Sequence, residues 1–447
     1  MKISIGDYKM KIFPVFIYLS ICSVPPVLAT PICSEILAPE NLERKHQYFA
    51  PMYNSSTTGW IFGNIELKNI QALKEVEKML LKKIVANLAQ RGTQLAILMP
   101  PPRPVIAGQE IVDETLGHKG KYDVTKQLVA FQNLNKQIAD LGVVIPDLSK
   151  VALSNRKIRE RYYLKRDTHW TNTGAAHSAL ALATALGLAS SESFDPAKLE
   201  VVKSYKVSGS FKAILSQYCN VEIEAETASL FDFSRYLEHS GLLSNENEAE
   251  ANTILLGTSF SNRYKKDQYQ VSDAISAAIQ RPVENLSIVG GGIAGAFEVY
   301  FLSDEFDLKY PNLLVWEFPS GGPVKANQLR QILGAIRYNR ANEKKFATAR
   351  LSDGVVQIGL PAGLPSTAPI GLRMTEGRAR NITLDLTFNN GKKLKLKVKR
   401  STRLDNIEGM DTWWVDVSDF SASLALLSLK VNGRSDLKEV ELLTVLD

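Results

Sequence analysis

The sequence predicts an α/β unit, a mainly parallel sheet flanked by helices over 30–342, followed by an all-β sandwich over 343–447. Three observations carry this. At 447 residues the chain exceeds what one hydrophobic core usually supports, so two folded parts are expected. Up to about residue 340, short apolar runs alternate with stretches of helical period, the pattern of strands joined by crossover helices. Beyond 346 the period drops to two and no useful helical stripe returns.

Taken in order, 67–90 reads as a long amphipathic helix, and 95–99 as a buried strand stopped by Pro100-Pro101-Pro102. A helix over 124–141 feeds a strand at 143–145, and another helix follows Thr171, running to Leu186 before Gly187. Runs at 253–256, 286–289 and 313–316 read as central strands, with helices at 272–279, 294–301 and 328–338. In the second part, Ile382, Leu384, Leu386 and Phe388 alternate with polar residues, and Asn389-Asn390-Gly391 turns the chain into 393–400 as a hairpin.

The first 29 residues have the form of a cleavable secretory leader: Lys2, Lys9 and Lys11, an apolar run over 12–21, then Val27-Leu28-Ala29 as a small-residue exit. A lipid anchor at Cys22 is a weaker alternative. No later run approaches the roughly 20 apolar residues of a spanning helix, so a soluble, exported, periplasmic protein is expected. Loss of the leader leaves Cys33 and Cys219, expected to form a disulfide worth about 2–4 kcal/mol. Two cysteines without a neighbouring histidine or cysteine make no metal site, and no metal is expected. The net charge of +6 permits an anionic partner without marking a nucleic-acid binder.

Two segments stand out. Asp167-Thr168-His169-Trp170 precedes a helix, and Gly257-Thr258-Ser259-Phe260-Ser261 follows the run 253–256. In open parallel sheets, the carboxyl ends of strands are where ligands sit, and Ser259 lies at one. A serine hydroxyl becomes a nucleophile when a histidine takes its proton and a carboxylate fixes the histidine tautomer, roles open to His169 and Asp167. The alternative is a polar pair capping the following helix and a serine bracing a turn. The N–H of Ser259 or Phe260 is a candidate oxyanion donor, and Gly291, within Gly290-Gly291-Gly292, is a second; the other reading of that glycine run is a tight turn. The glycines lack the spacing of a dinucleotide site, and no cofactor is expected.

Asp-Thr-His-Trp-Thr at 167–171, Gly-Thr-Ser-Phe-Ser at 257–261 and Val-Trp-Glu-Phe at 315–318 resemble the AlgX/AlgJ family of alginate O-acetyltransferase proteins, over most of 50–340. The resemblance implies an SGNH-hydrolase-like domain with the catalytic blocks permuted, so that Asp167 and His169 precede Ser259. It further implies transfer of acetyl through Ser259 to an exported acidic polysaccharide, and a donor delivered by a membrane-associated partner within a secretion complex. It makes the all-β part a carbohydrate-binding module. This chain departs from the ordinary SGNH pattern in carrying Thr258 before the serine and in lacking a Gly-x-Asn-Asp block.

Six residues are candidates for substrate contact. Tyr264 follows Ser259 closely, and Arg103 follows a strand end where it would meet a carboxylate. Trp413 and Trp414 are adjacent on one strand, so they cannot both enter the same core; one is expected exposed, as a sugar platform, or covering a second surface. Lys395 and Lys397 belong to an alternation with Lys393 and Lys399 that puts four ammonium groups on one face, matching a polyuronate. Protection of an edge strand explains the same stripe.

Overall fold

The computed structural model describes residues 32–117, 121–188, 194–238, 253–262, 267–303, 310–321, 324–365, 367–375, 378–420, 422–431 and 438–445. The leader with Cys22, and Tyr264, lie outside these residues.

A short ribbon, β1 (Met52–Asn54) with β2 (Ile61–Gly63), precedes the first central strand β3 (Gln94–Leu98). A second ribbon joins β4 (Val201–Val207) to β5 (Glu226–Phe231) and is followed by β6 (Thr253–Leu256), β7 (Glu284–Asn285) and β8 (Leu313–Glu317). The central sheet runs β3-β8-β6-β7, all parallel.

The apolar strands are buried on both faces, and their period of two divides them. Ala96, Leu98, Leu255, Leu313 and Val315 join a core with the helices Asn172–Ala185 and Val271–Ile279. Leu95, Ile97, Ile254, Leu256, Leu314 and Trp316 join another, with the helices Glu75–Ala89, Gly292–Leu302 and Ala326–Arg337. This is why the runs read as continuous rather than alternating.

Three expected elements differ. The first helix begins at Glu75, because the Glu77 carboxylate accepts the Lys74 N–H at 2.8 Å and sets the start there. The run at 143–145 contributes one parallel bridge, Val144 beside Ala96. The ladder expected at 286–289 is centred on β7 instead. Past it, Leu286 and Ile288 still donate to the carbonyls of Leu255 and Gly257 at 2.9 and 3.0 Å, which holds the end of β6 in place.

The remaining strands are β9 (Glu343–Arg350), β10 (Val355–Leu364), β11 (Ile370–Met374), β12 (Asn381–Phe388), β13 (Lys393–Lys399), β14 (Thr412–Val415), β15 (Leu424–Val431) and β16 (Glu439–Val445). They make two antiparallel sheets, β10-β15-β12-β13 and β14-β11-β16-β9, over a shared apolar core. The β12–β13 hairpin turns at Gly391, whose φ of +78° suits glycine. Among the described residues, no helix is long and apolar enough to cross a membrane.

Candidate active site

The residue ahead of each helix and strand end explains how the site assembles. Thr171 caps the helix Asn172–Ala185, its Oγ1 accepting the Gly174 N–H at 3.1 Å, so the preceding loop is fixed against the sheet. From that loop Trp170 donates its indole N–H to the Phe260 carbonyl at 2.9 Å, tying it to the turn after β6.

Asp167 is fully buried, and its carboxylate accepts from His169 and Ser210. His169 Nδ1–H and the His169 backbone N–H (3.0 Å) reach Oδ1, and the Ser210 N–H reaches Oδ2 at 2.8 Å. The last contact requires Gly209: its φ is +77°, and a Cβ there would meet the Arg166 carbonyl oxygen at 2.4 Å. With Nδ1–H committed to Asp167, Nε2 of His169 carries the lone pair and accepts from Ser259 Oγ at 2.8 Å. The imidazole is held between the rings of Phe260 and Tyr269, at centroid distances of 4.8 and 5.6 Å. Such an arrangement can move a proton from the serine hydroxyl to the imidazole as the oxygen attacks a carbonyl carbon.

The cleft over Ser259 has a volume of about 410 Å³ and is walled by Tyr48, Phe49, Pro100 to Pro102, Gly290, Gly292 and Ile293. Beneath the serine lies a residue whose role the sequence did not reveal. Glu317, at the end of β8 and fully buried, accepts from the Thr258 N–H (2.8 Å), Thr258 Oγ1–H (3.0 Å) and Ser261 Oγ–H (3.0 Å). Burial pushes its carboxyl up to about 7 against the pull of these hydrogen bonds. The available signal was its place in Val-Trp-Glu-Phe at 315–318, a motif of the resemblance to which no role attached, as a single acidic residue ending the apolar run Leu-Leu-Val-Trp. Gly257 is obligatory here, since a Cβ would meet Glu317 Oε2 at 2.6 Å and Ser287 Oγ at 2.8 Å.

The oxyanion candidates separate. The Phe260 N–H is engaged by Thr258 Oγ1 at 3.3 Å, and the Gly291 N–H closes a turn onto the Ile288 carbonyl at 3.0 Å, so both are corrected. The N–H groups of Thr258, Ser261 and Asn262 also have acceptors inside the turn or at Glu317. Among the described residues, the Ser259 N–H meets none. Gly292, which borders the cleft, opens a helix, and its N–H belongs to the first turn, which no intrahelical acceptor serves.

Arg103 is corrected as a substrate contact. It is 3% exposed, and its guanidinium donates to the carbonyls of Ile61, Leu164 and Lys165 and to Glu66 at 2.5 Å, leaving no donor for a ligand. Trp413 and Trp414 are each 1% exposed, so neither is a sugar platform. They face opposite ways: Trp413 fills the sandwich core, and Trp414 covers a second surface, its ring tilted against that of Tyr338 with centroids 4.8 Å apart. Lys395 and Lys397 are exposed on the outer face of β13 and do not line the cleft, with Lys395 3.3 Å from Asp385. Cys33 and Cys219 are joined as a disulfide, Cα atoms 5.4 Å apart, securing the N-terminal segment that supplies Tyr48 and Phe49.

Residues 55–320 match the family model described as an SGNH hydrolase-like domain, acetyltransferase AlgX. The alginate biosynthesis protein AlgX of Azotobacter vinelandii is 25% identical over 274 residues, 60% of this chain and 55% of that protein. AlgX of Pseudomonas aeruginosa is 21% identical over 400 residues, 87% of this chain and 78% of its own. The chain therefore spans about half the length of the first relative and more of the second. The solved structure of Pseudomonas aeruginosa AlgX matches with a TM-score of 0.68 at 17% identity, over 92% of this chain and 98% of that one, a likeness of fold. Since the family model covers more than half the sequence and encloses both the Asp-Thr-His-Trp loop and the Gly-Thr-Ser-Phe-Ser turn, the chain belongs to the AlgX family of SGNH-hydrolase-like acetyltransferases.

Proposed function

We propose that the protein is a periplasmic O-acetyltransferase that passes acetyl groups through Ser259 onto hydroxyls of an exported acidic polysaccharide, alginate or one like it. The observation that carries this is the 2.8 Å contact between His169 Nε2 and Ser259 Oγ, with the Asp167 carboxylate behind the imidazole. Membership of an acetyltransferase family and the alginate biosynthesis roles named for the relatives supply the reaction class and the polymer.

In this reading Ser259 Oγ attacks the acetyl carbonyl of a donor ester while His169 takes its proton. The developing oxyanion is met by the Ser259 N–H, the tetrahedral adduct expels the donor alcohol, and His169 returns the proton to it. A sugar hydroxyl then attacks the acetyl-serine by the same route, restoring the enzyme. The donor comes from a membrane-associated partner of a secretion complex. The sandwich holds the polymer, with Lys395 and Lys397 opposite its carboxylates.

The test is acetyl transfer from an activated acetyl ester to de-acetylated polymer, with mass spectrometry of the protein during turnover. Acetyl on Ser259 and acetylated polymer are expected, and Ser259→Ala should lower transfer by about 10⁴-fold or more. Release of free acetate in place of transfer at saturating polymer would make the protein an esterase with the same triad. Unchanged transfer by Ser259→Ala would remove the catalytic assignment of Ser259, and polymer binding by a parent that neither carries acetyl nor transfers it would leave the protein a polysaccharide-binding scaffold.

A further inference from the structure

The reaction above assigns work to three side chains and one backbone N–H, but leaves Glu317 unexplained. A carboxylate buried at the end of a central strand is costly to keep, because burial opposes its ionisation and only hydrogen bonds offset that. Replacement by leucine or glutamine would keep the strand. The surroundings are also built around it: Gly257 has no side chain where Oε2 lies, and three donors from the nucleophile turn converge on one carboxyl. A residue bracing the sheet in general would bond to several elements. Among the described residues, the hydrogen-bond donors to Glu317 all come from Thr258 and Ser261, which flank Ser259 on both sides.

We propose that Glu317 is a positioning residue for the nucleophile, its carboxyl clamping Thr258 and Ser261 so that the Ser259 hydroxyl stands opposite His169 and, within this turn, the Ser259 N–H is left to receive the oxyanion. The clamp acts in two ways. It fixes the direction of Ser259 Oγ, 2.8 Å from Nε2, from the β8 side, while Trp170 fixes the same turn from the histidine side through the Phe260 carbonyl. It also engages the Thr258 N–H, so the turn offers the cleft one donor at the serine itself. The proposal rests on the serine-histidine reading and supplies what holds that pair in register.

Glutamine suits the same place. Its carbonyl oxygen at the Oε2 position accepts from the Thr258 N–H and Ser261 Oγ–H, and its amide donates to Thr258 Oγ1, whose hydroxyl rotates freely. Alanine or leucine satisfies none of them. The experiment measures, on the full chain, hydrolysis of p-nitrophenyl acetate and the rate at which phenylmethanesulfonyl fluoride labels Ser259. Glu317→Gln should retain both within about 3-fold, whereas Glu317→Ala and Glu317→Leu should lose about 100-fold in kcat and in labelling rate with KM within about 2-fold, the signature of a misaligned nucleophile. Thr258→Val and Ser261→Ala, which each remove one hydroxyl that bonds Glu317, report on the clamp if the Glu317 variants do not fold; each should slow labelling about 3–10-fold. A folded Glu317→Ala that labels at the wild-type rate, or a hydroxyl pair whose loss leaves labelling unchanged, overturns the proposal. So does a Glu317→Gln as slow as Glu317→Ala. If instead Ser259→Ala hydrolyses the ester as the parent does, the catalytic reading falls, whatever Glu317 does.

Discussion

Glu317 carries a second consequence, which lies in its titration. Its carboxyl is pushed up to about 7, chiefly by burial, from an ordinary value near 4.5. The folded protein therefore keeps this proton to higher pH than the unfolded chain, and unfolding releases it in the interval between the two values. Stability contributed at this position thus falls as pH rises from about 4.5 to about 7 and is flat outside that window, a change of roughly 3 kcal/mol. Glu317→Gln has no such proton. Urea unfolding of both proteins from about pH 4.5 to about pH 8 should show the variant gaining on the parent by roughly 3 kcal/mol, and a constant difference would mean that the carboxyl titrates normally. The three residues that face each other in the cleft were legible in sequence because each sits in a short polar motif at the edge of an apolar element. Glu317 and Ser210 were not, since what they do depends on hydrogen-bond partners 56 and 43 residues away, a donor for Glu317 and an acceptor for Ser210. Arg103 was misread for a related reason: its carboxylate is Glu66, 37 residues earlier, and the pair closes on itself inside the fold.

Strands reveal more of their surroundings than single residues do, because a period of two states which face is covered. On β13 the pattern puts Lys393, Lys395, Lys397 and Lys399 outward and Leu396 and Val398 inward. The same strand is the edge of its sheet, so the lysines serve to discourage pairing with another chain whatever else they bind. If they also meet polymer carboxylates, Lys395→Gln with Lys397→Gln should weaken binding to alginate about 3–10-fold at low ionic strength, and the difference should vanish by about 0.5 M salt. Hydrolysis of a small acetyl ester should be untouched. Equal affinities for parent and variant in dilute buffer would assign the stripe to edge protection alone. On β14 the alternation stated that Trp413 and Trp414 part company, but not what waits on the far side. That surface includes Tyr338, 76 residues earlier in the chain and just past the helix Ala326–Arg337, and periodicity within a strand carries no information about it.

The two halves of the molecule meet through that surface. Trp414, Leu404, Met410 and Leu443 of the sandwich lie in the same apolar core as the helices of the parallel sheet, and Gly334 lets the helix Ala326–Arg337 approach so closely that a Cβ would meet the Trp414 carbonyl at 2.7 Å. Polar groups are carried into this contact with their partners. Arg330 donates to the Asp416 carbonyl at 3.0 Å and to Asp419, and Arg400 of the sandwich reaches Glu298 of the other half at 2.8 Å, with both side chains at most 3% exposed. The sandwich is thus part of the fold, and its proposed contribution to polymer affinity is better measured by surface substitution than by deletion. The buried pair provides the test of how firmly the halves are joined. Attraction between Arg400 and Glu298 is largely cancelled by the cost of removing both from water, whereas either left alone is a buried charge without an opposite charge, keeping only neutral hydrogen-bond partners. Arg400→Met and Glu298→Leu should therefore each destabilise by about 3–5 kcal/mol, Arg400→Met exposing Glu298 to an apolar neighbourhood and Glu298→Leu leaving the guanidinium with only the Met410 and Thr412 carbonyls. The double variant should recover much of the loss, giving a coupling energy of about 2 kcal/mol or more in a double-mutant cycle read by urea unfolding. Additive losses would mean that the two side chains do not depend on each other. A single cooperative transition in every variant would mark the halves as one folding unit, and separate transitions in the single variants would show that the sandwich stands alone once this contact is broken.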